Sequence, residues 1–288
     1  MTGNSEEARP GLAPGAIRPS GTMFAALYGE LVQHPWRQSD TVHDAYSLFY
    51  QRSLAMGWLD GIAIALRTNA GDTGERKRGA PGLWSMNDAG QDHPLAAPGA
   101  SLVAWFQVGV EPVSGDRPLP VQPFLRCAGD VVAQIGTLRL QAVQALLPVQ
   151  SLDDTSLGTE NSRVPSVLTA GWFSDCDPQS STPVRVTLDS GQAPSIPSAA
   201  PWMRERMSRL EQDVFVCESY SLADRDPLTI EPPFDDSFWN GPSLHRAAFQ
   251  GTLAEWSLDA LGWLGGFLAD LSARHGVTTP LLLTAIRL

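Results

Sequence analysis

The chain has 288 residues, of which 43% are hydrophobic, enough to bury a core as one large domain or two modest ones. Its formal net charge of −11 at pH 7 argues against nucleic acid or an anionic membrane as a partner. Three cysteines, Cys127, Cys176 and Cys217, are odd in number and far apart, which fits neither a disulfide framework nor a zinc site. With no signal-peptide pattern and no run long enough to span a bilayer, we expect a cytoplasmic protein.

The basic residues are almost all arginine, and Lys77 is the single lysine. Together with the abundance of Ala, Gly and Pro, this indicates a bacterial genome rich in GC. Lys77 lies in a polar, glycine-rich loop without the context of a Walker or pyridoxal-phosphate lysine. The chain also lacks GxGxxG, GxSxG and HExxH motifs, and its histidines are dispersed. We therefore expect no cofactor and no metal.

The beginning of the chain is predicted to be a disordered leader, residues 1–20, because it is rich in Pro and Gly. Residues 21–288 are predicted to form a single globular domain, with a possible subdivision near 150–163. From Thr22 to Val32 apolar residues recur at helical spacing, which predicts a helix that ends before Pro35. Ser39 is the predicted N-cap of a second helix.

Residues 54–67 carry two conflicting patterns. The pair Asp60-Gly61 between apolar runs predicts a hairpin. Apolar residues at steps of four instead predict that the preceding helix continues. Our interpretation is a helix that ends near Gly57, followed by a strand from Ile62 to Arg67.

The centre of the chain is rich in predicted strands. Residues 69–99 are predicted to be a long polar connection, and Pro201 is predicted to start a short charged helix. The predicted strands are 102–110, 137–143, 164–173, 184–188 and 214–218. Helices flanking a β-rich centre give the class α+β.

The last forty residues predict a β-α-β unit. A strand over 247–256 precedes a helix that is capped by Ser257 and stopped by Gly276. The apolar run 281–286 then predicts a strand buried on both faces, as an interior parallel strand would be. We expect a right-handed crossover that ties the C-terminus into the sheet.

Small residues form a strip along one side of the C-terminal helix. Gly262, Gly265, Gly266 and Ala269 share this strip, although each interior glycine costs roughly 1 kcal/mol relative to alanine. We therefore expect another element to pack closely against it. Replacing Gly266 with Leu should lower the free energy of unfolding by at least ~1–3 kcal/mol through overpacking.

A loop over residues 223–243 is the strongest candidate for a functional site. Loops of this length are often lids or binding segments, and aromatic rings beside carboxylates can form a pocket wall or a docking anchor. The alternative is that its aromatics fill a gap in the core while its aspartates stay solvated. The candidate binding or proton-transfer residues are Phe234, Asp235, Asp236, Phe238, Trp239 and His245, together with Glu218 on the preceding strand. If the loop is functional, Trp239 should be at least partly accessible.

Two functions follow from these patterns. The first is a non-catalytic binding or assembly component of a bacterial multi-protein system, with a protein or a hydrophobic small molecule as its partner. The alternative is a cofactor-independent enzyme, a cyclase or isomerase, that acts on a hydrophobic metabolite in an aromatic-lined pocket. A cavity with a buried acid of shifted pKa would favour the enzyme, whereas a filled core with a flat aromatic patch would favour the binding protein.

Overall fold

A nine-stranded antiparallel sheet organises the chain. The computed structural model describes residues 20–37, 44–60, 80–91, 96–97, 100–152, 164–222 and 230–288. Four α-helices accompany the sheet within these ranges, which confirms the predicted α+β class with a β-rich core. The elements of the first half are β1 (Gly21–Gln33), α1 (Ala45–Ala55), β2 (Trp84–Gln91), β3 (Ala96–Ala97), β4 (Ala100–Val110), α2 (Val121–Ile135) and β5 (Gly136–Leu147).

The second half repeats the connectivity of the first. Its elements are β6 (Thr182–Asp189), α3 (Ser195–Arg209), β7 (Phe215–Leu222), β8 (Arg246–Leu253), α4 (Leu258–Arg274) and β9 (Leu281–Arg287). Apart from the short β3, each half is a β-α-β-β-α-β unit, the split β-α-β or ferredoxin-like motif. The strand order β2-β4-β1-β5-β9-β6-β8-β7 is the same when read from either edge. The two halves are therefore joined edge to edge by the antiparallel pairing of β5 with β9, the last strand of each half.

Both halves share one hydrophobic core between the helices and the sheet. Buried residues of β1 and β4 belong to the same cluster as Phe249 on β8 and Leu264 on α4. No helix among the described residues is long and apolar enough to cross a membrane. The predicted leader falls almost entirely on residues 1–19, outside the described ranges, and the predicted subdivision near 150–163 stays a prediction.

The helix predicted over 22–32 is wrong, because this segment is the central strand β1. Met23, Ala25 and Leu27 belong to the main core, whereas Phe24 and Ala26 are buried on the opposite face of the sheet. With both faces covered, nearly every residue is apolar and the period of two is not visible in the sequence. The apolar spacing that predicted a helix was a consequence of this uniform burial.

The strand predicted over 164–173 is also wrong, because Pro165–Phe173 forms a 3-10 helix. The backbone N–H of Ser166 in its first turn donates to the carboxylate of Asp270 at 3.0 Å. A carboxylate at a helix N-terminus satisfies a free donor there. Since the two residues are 104 positions apart, no local pattern could have predicted this cap.

Several other boundaries differ from the predictions. Helix α2 was not predicted at all, and β2 and β3 lie in the stretch predicted to be a connection. Asp44, rather than Ser39, caps α1 by accepting from the Ser47 N–H at 2.8 Å. Helix α1 ends at Ala55 and Gly57 has a φ of 73°, while the strand predicted over 62–67 lies outside the described residues.

The C-terminal β-α-β unit is confirmed, including a last strand that is mostly buried. Strands β8 and β9 are both antiparallel to β6, which lies between them, so they run parallel to each other without pairing. The expectation of a parallel ladder is therefore wrong, since β9 pairs antiparallel with both of its neighbours. Its apolar sequence reflects a central position with both faces covered.

Two members of the small-residue strip, Gly262 and Gly265, approach α2 closely, which confirms the prediction for this part of the strip and not for Gly266. A Cβ at Gly262 would lie 2.5 Å from the Cα of Gln122, and one at Gly265 would lie 2.9 Å from Val121 Cγ1. Midway along α2, a Cβ at Gly129 would lie 3.0 Å from the side chain of Leu258, at the start of α4. The first turn of each helix thus contacts the middle of the other, and the two helices cross antiparallel. A Cβ at Gly266 would have more room, 3.4 Å from the nearest atom.

We predict that Gly262→Ala lowers the free energy of unfolding by about 1–3 kcal/mol, because the new methyl group meets backbone that cannot move aside. This loss opposes the roughly 1 kcal/mol that alanine normally gains over glycine inside a helix. Chemical denaturation of the purified variant measures the change. Gly171→Ala is the control, since no atom lies within 4 Å of its new Cβ. Equal stability of Gly262→Ala and wild type would contradict this account of the crossing.

Candidate functional site

The loop predicted to be functional covers the face of the sheet opposite the helices. Its described part, residues 230–243, packs over a second and smaller hydrophobic cluster at the centre of that face. The amide of Gln144 on β5 donates to the backbone oxygen of Ile230 at 2.6 Å and holds the start of this part. Near its other end, the backbone N–H of Gln192 donates to the oxygen of Asn240 at 3.0 Å. The described part of the loop is thus held at its start by β5 and near its end by the turn that follows β6.

Trp239 is the central side chain of this cover. It is only 1% exposed, so the partly accessible ring that a functional loop would require is not found. Phe234 is half-buried and lies edge-on to Phe24 of β1 at 4.7 Å, whereas Phe238 is 43% exposed. Trp239 and Phe234 therefore close a gap in the core, as the alternative interpretation of the loop predicted.

The two aspartates of the loop are exposed and support its local conformation. Asp235 caps a 3-10 turn over Asp236–Phe238 by accepting from the Ser237 N–H at 2.8 Å. Hydrogen bonds from the backbone and the side chain of Ser237 lower the pKa of Asp235. The backbone oxygen of Asp236 accepts from the Gly241 N–H at 3.1 Å.

The remaining candidates lie elsewhere on the fold. Glu218 is exposed on the edge strand β7, where its carboxylate accepts from the Thr252 hydroxyl at 3.3 Å. His245 precedes β8 and lies near the buried Asp189–Arg246 ion pair. The structure therefore brings only the loop aromatics together, and the binding or proton-transfer role of these residues stays a prediction.

A different concavity lies in the helical layer where the two halves meet. We call it the junction groove; its volume is about 260 Å³. One wall comes from first-half connections and the start of α2, and the other from α4 and the 3-10 helix Pro165–Phe173. The lining residues are Trp58, Pro81, Gly82, Leu83, Val113, Arg117, Pro118, Leu119, Pro120, Gln122, Pro123, Ser166, Thr169, Gly262, Trp263 and Gly266.

The lining is apolar and its rings are held in place. Trp58 stacks on Trp84 at 5.9 Å, and Trp263 stacks on Phe267 at 4.8 Å. The indole N–H of Trp263 donates to the backbone oxygen of Ser166 at 2.8 Å. Four prolines contribute no backbone N–H, and the lining glycines place no side chain in the space. The groove is therefore formed before any ligand arrives.

A buried carboxyl group supports the groove wall from behind. Asp270 on α4 is 4% exposed and accepts from both the backbone N–H and the hydroxyl of Ser166, the latter at 2.5 Å. Burial raises the pKa of Asp270 to about 7, against the opposing effects of these hydrogen bonds and of Arg274. At neutral pH the group can gain or lose a proton, and Ser166 separates it from the groove.

Sequence reasoning missed the junction groove, although two of its signals were present. The strip of small residues correctly predicted close packing along α4, and Pro118-Leu119-Pro120 marks a rigid apolar segment. Neither pattern indicated that the two would face each other. This required the antiparallel crossing of α2 and α4, which depends on contacts between distant parts of the chain.

No protein-family model matches this chain, and neither a curated protein nor a solved structure is significantly similar to it. Within the described ranges, His, Cys, Asp and Glu side chains nowhere gather in a group of three or more that could hold a metal ion. The assignment of function therefore depends on the geometry of the junction groove itself.

We predict that Trp239→Ala lowers the free energy of unfolding by roughly 3–5 kcal/mol, because truncating a buried ring leaves a cavity. Phe238→Ala is the matched control on the same loop, and its exposed ring should cost far less. Thermal and chemical denaturation of both variants measure the difference. A melting temperature for Trp239→Ala equal to that of wild type would mean that the loop does not belong to the core.

We predict a pH-dependent contribution of Asp270 to stability. Its pKa is about 7 in the folded chain and about 4 in an unfolded one. Between these values the folded chain keeps a proton that the unfolded chain has released. The contribution of Asp270 to the free energy of unfolding therefore falls as pH rises from about 4 to about 7, by an amount on the order of a few kcal/mol. Above about pH 7 this contribution stays constant.

Denaturation curves between pH 4 and 8 test this dependence. Asp270→Asn cannot ionise, so its stability should fall less than that of wild type over the range. Asp235→Asn is the control, because the pKa of Asp235 is lowered and its effect has the opposite sign at lower pH. Parallel curves for wild type and Asp270→Asn would contradict the prediction.

Proposed function

We propose that this chain is a non-catalytic binding protein that holds a small apolar ligand in the junction groove. The observation that carries the proposal is the lining of the groove: fixed aromatic rings and prolines, with few polar groups, at the interface of two structural units. Ligand sites occur preferentially in such interfaces and are usually largely pre-formed. Burying an apolar ligand there would release about 25 cal/mol for each Å² removed from water.

The groove volume supports a small ligand rather than a folded segment of a protein. About 260 Å³ lies just below the range of ~300–1,000 Å³ that is typical for sites of drug-sized molecules. Apolar residues on the outside of the same wall support a further contact with a protein. Leu168 and Trp172 on the 3-10 helix are 63% and 68% exposed, and exposed aromatics are frequent at docking surfaces. A role within a bacterial, cytoplasmic multi-protein system remains part of the proposal.

The second candidate function is a cofactor-independent cyclase or isomerase of a hydrophobic metabolite. The contact between Asp270 and Ser166 supports it, because Ser166 lines the groove and Asp270 can exchange a proton near pH 7. Asp270 itself does not line the groove, so the criterion of a cavity that contains an acid of shifted pKa is met only in part and the enzyme stands second. The proton of Asp270 would have to pass through the Ser166 hydroxyl. Incubation in D₂O separates the two functions once native mass spectrometry has identified a retained ligand. Deuterium entering carbon positions with wild type, but not with Asp270→Asn, would favour the enzyme.

We predict that filling the junction groove abolishes binding of a neutral apolar probe. Thr169 lines the groove and is exposed, so Thr169→Trp can place a large ring in the space without disturbing the core. Titration with N-phenyl-1-naphthylamine, followed by its fluorescence, should show at least a tenfold weaker affinity, about 1.4 kcal/mol. Thr137→Trp is the matched control, because Thr137 is exposed on β5 and does not line the groove. Equal affinity in the two variants would show that the probe binds elsewhere.

A further inference from the structure

Arg117 places a positive charge at the edge of the otherwise apolar junction groove. Among the described residues that line the groove, it is the only charged one. The chain as a whole carries a net charge of −11, so the positive charge at this groove is opposite in sign to the charge of the whole chain. Arg117 is also exposed, so its guanidinium is accessible to a ligand.

The other polar side chains of the lining already have partners in the protein. The amide of Gln122 donates to Asp259 at 3.1 Å, and the hydroxyl of Thr169 donates to the backbone oxygen of Ser166 at 3.0 Å. The hydroxyl of Ser166 donates to Asp270. These contacts leave the five N–H donors of Arg117 as the main donor group available to a ligand.

Asp116, the neighbour of Arg117 in sequence, does not neutralise this donor group. A hydrogen bond with Ser114 is the main cause of the lowered pKa of Asp116, and the charge of Arg117 contributes least to it.

We infer that the ligand of the junction groove is a small amphipathic acid, with an apolar body between the two walls and an anionic end at Arg117. This inference rests on the proposed binding function and adds the chemistry of the ligand. A guanidinium binds a carboxylate or a phosphate through two parallel hydrogen bonds, and the two anions share this chemistry. The net negative charge of the chain repels anions only weakly at physiological salt, where the Debye length is about 8 Å. The contact with Arg117 is shorter-ranged and is screened less.

The test compares probes that share one alkyl chain and differ in the end group. Decanoate, decyl phosphate, 1-decanol and decyltrimethylammonium are each titrated against wild type loaded with N-phenyl-1-naphthylamine at pH 8. We expect decanoate or decyl phosphate to displace the probe at about tenfold lower concentration than 1-decanol, and the cation to be weakest. The preference between the two anions identifies the end group.

Arg117→Gln should remove the preference for the anion and leave the affinity for 1-decanol unchanged. Arg126→Gln is the matched control, because Arg126 is exposed on α2, does not line the groove, and its loss changes the net charge equally. Equal affinities of wild type for decanoate and 1-decanol, or a preference that survives in Arg117→Gln, would overturn the inference while the binding function stands. A different outcome would overturn both the inference and the proposed binding function. In it, none of the compounds, including the neutral probe, shows binding that Thr169→Trp abolishes.

Discussion

The close crossing of α2 and α4 is the contact on which the rest of the molecule depends. Each half has the same connectivity, and β5 pairs with β9 to join the two sheets, but strand pairing alone would leave the helical layers independent. Gly262 and Gly265 allow α4 to approach the first turn of α2. This approach joins the layers into one core and places the segment that precedes α2 beside α4. The junction groove exists because these two surfaces are held face to face.

The parts of the fold that could be predicted are those whose signals are local. Local sequence, within a few residues, determines each of these correctly predicted features: the caps at Ser257 and near Gly276, the apolar run of β9 and the glycine strip. The failures at β1 and at the 3-10 helix Pro165–Phe173 have a different cause. Burial of β1 on both faces removes the alternation that marks a strand, and the cap of the 3-10 helix comes from Asp270 on a distant helix. Duplication of the topology left no sequence period long enough to recognise.

The same distinction separates the two candidate sites. The loop over 223–243 attracted attention because its aromatics and carboxylates are adjacent in sequence, yet in the structure its rings cover the sheet around Trp239. The junction groove draws its lining from five separate stretches of chain, none of which carries a catalytic or binding motif. A long aromatic loop can thus be required for burial, while a concave apolar surface forms from prolines, glycines and rings with no chemical motif.

The shared connectivity of the two halves gives the molecule two corresponding corners, one on each side of the paired helices, and the two are built differently. The connection from β4 to α2 spans residues 111–120, whereas its counterpart from β8 to α4 spans only 254–257. In the shorter connection, the indole N–H of Trp256 donates to the backbone oxygen of Leu140 at 3.0 Å, which draws this corner against the sheet. The junction groove lies beside the longer of these two connections, which supplies part of its lining. The asymmetry of the molecule therefore lies in the lengths of two corresponding connections and not in the order of its strands.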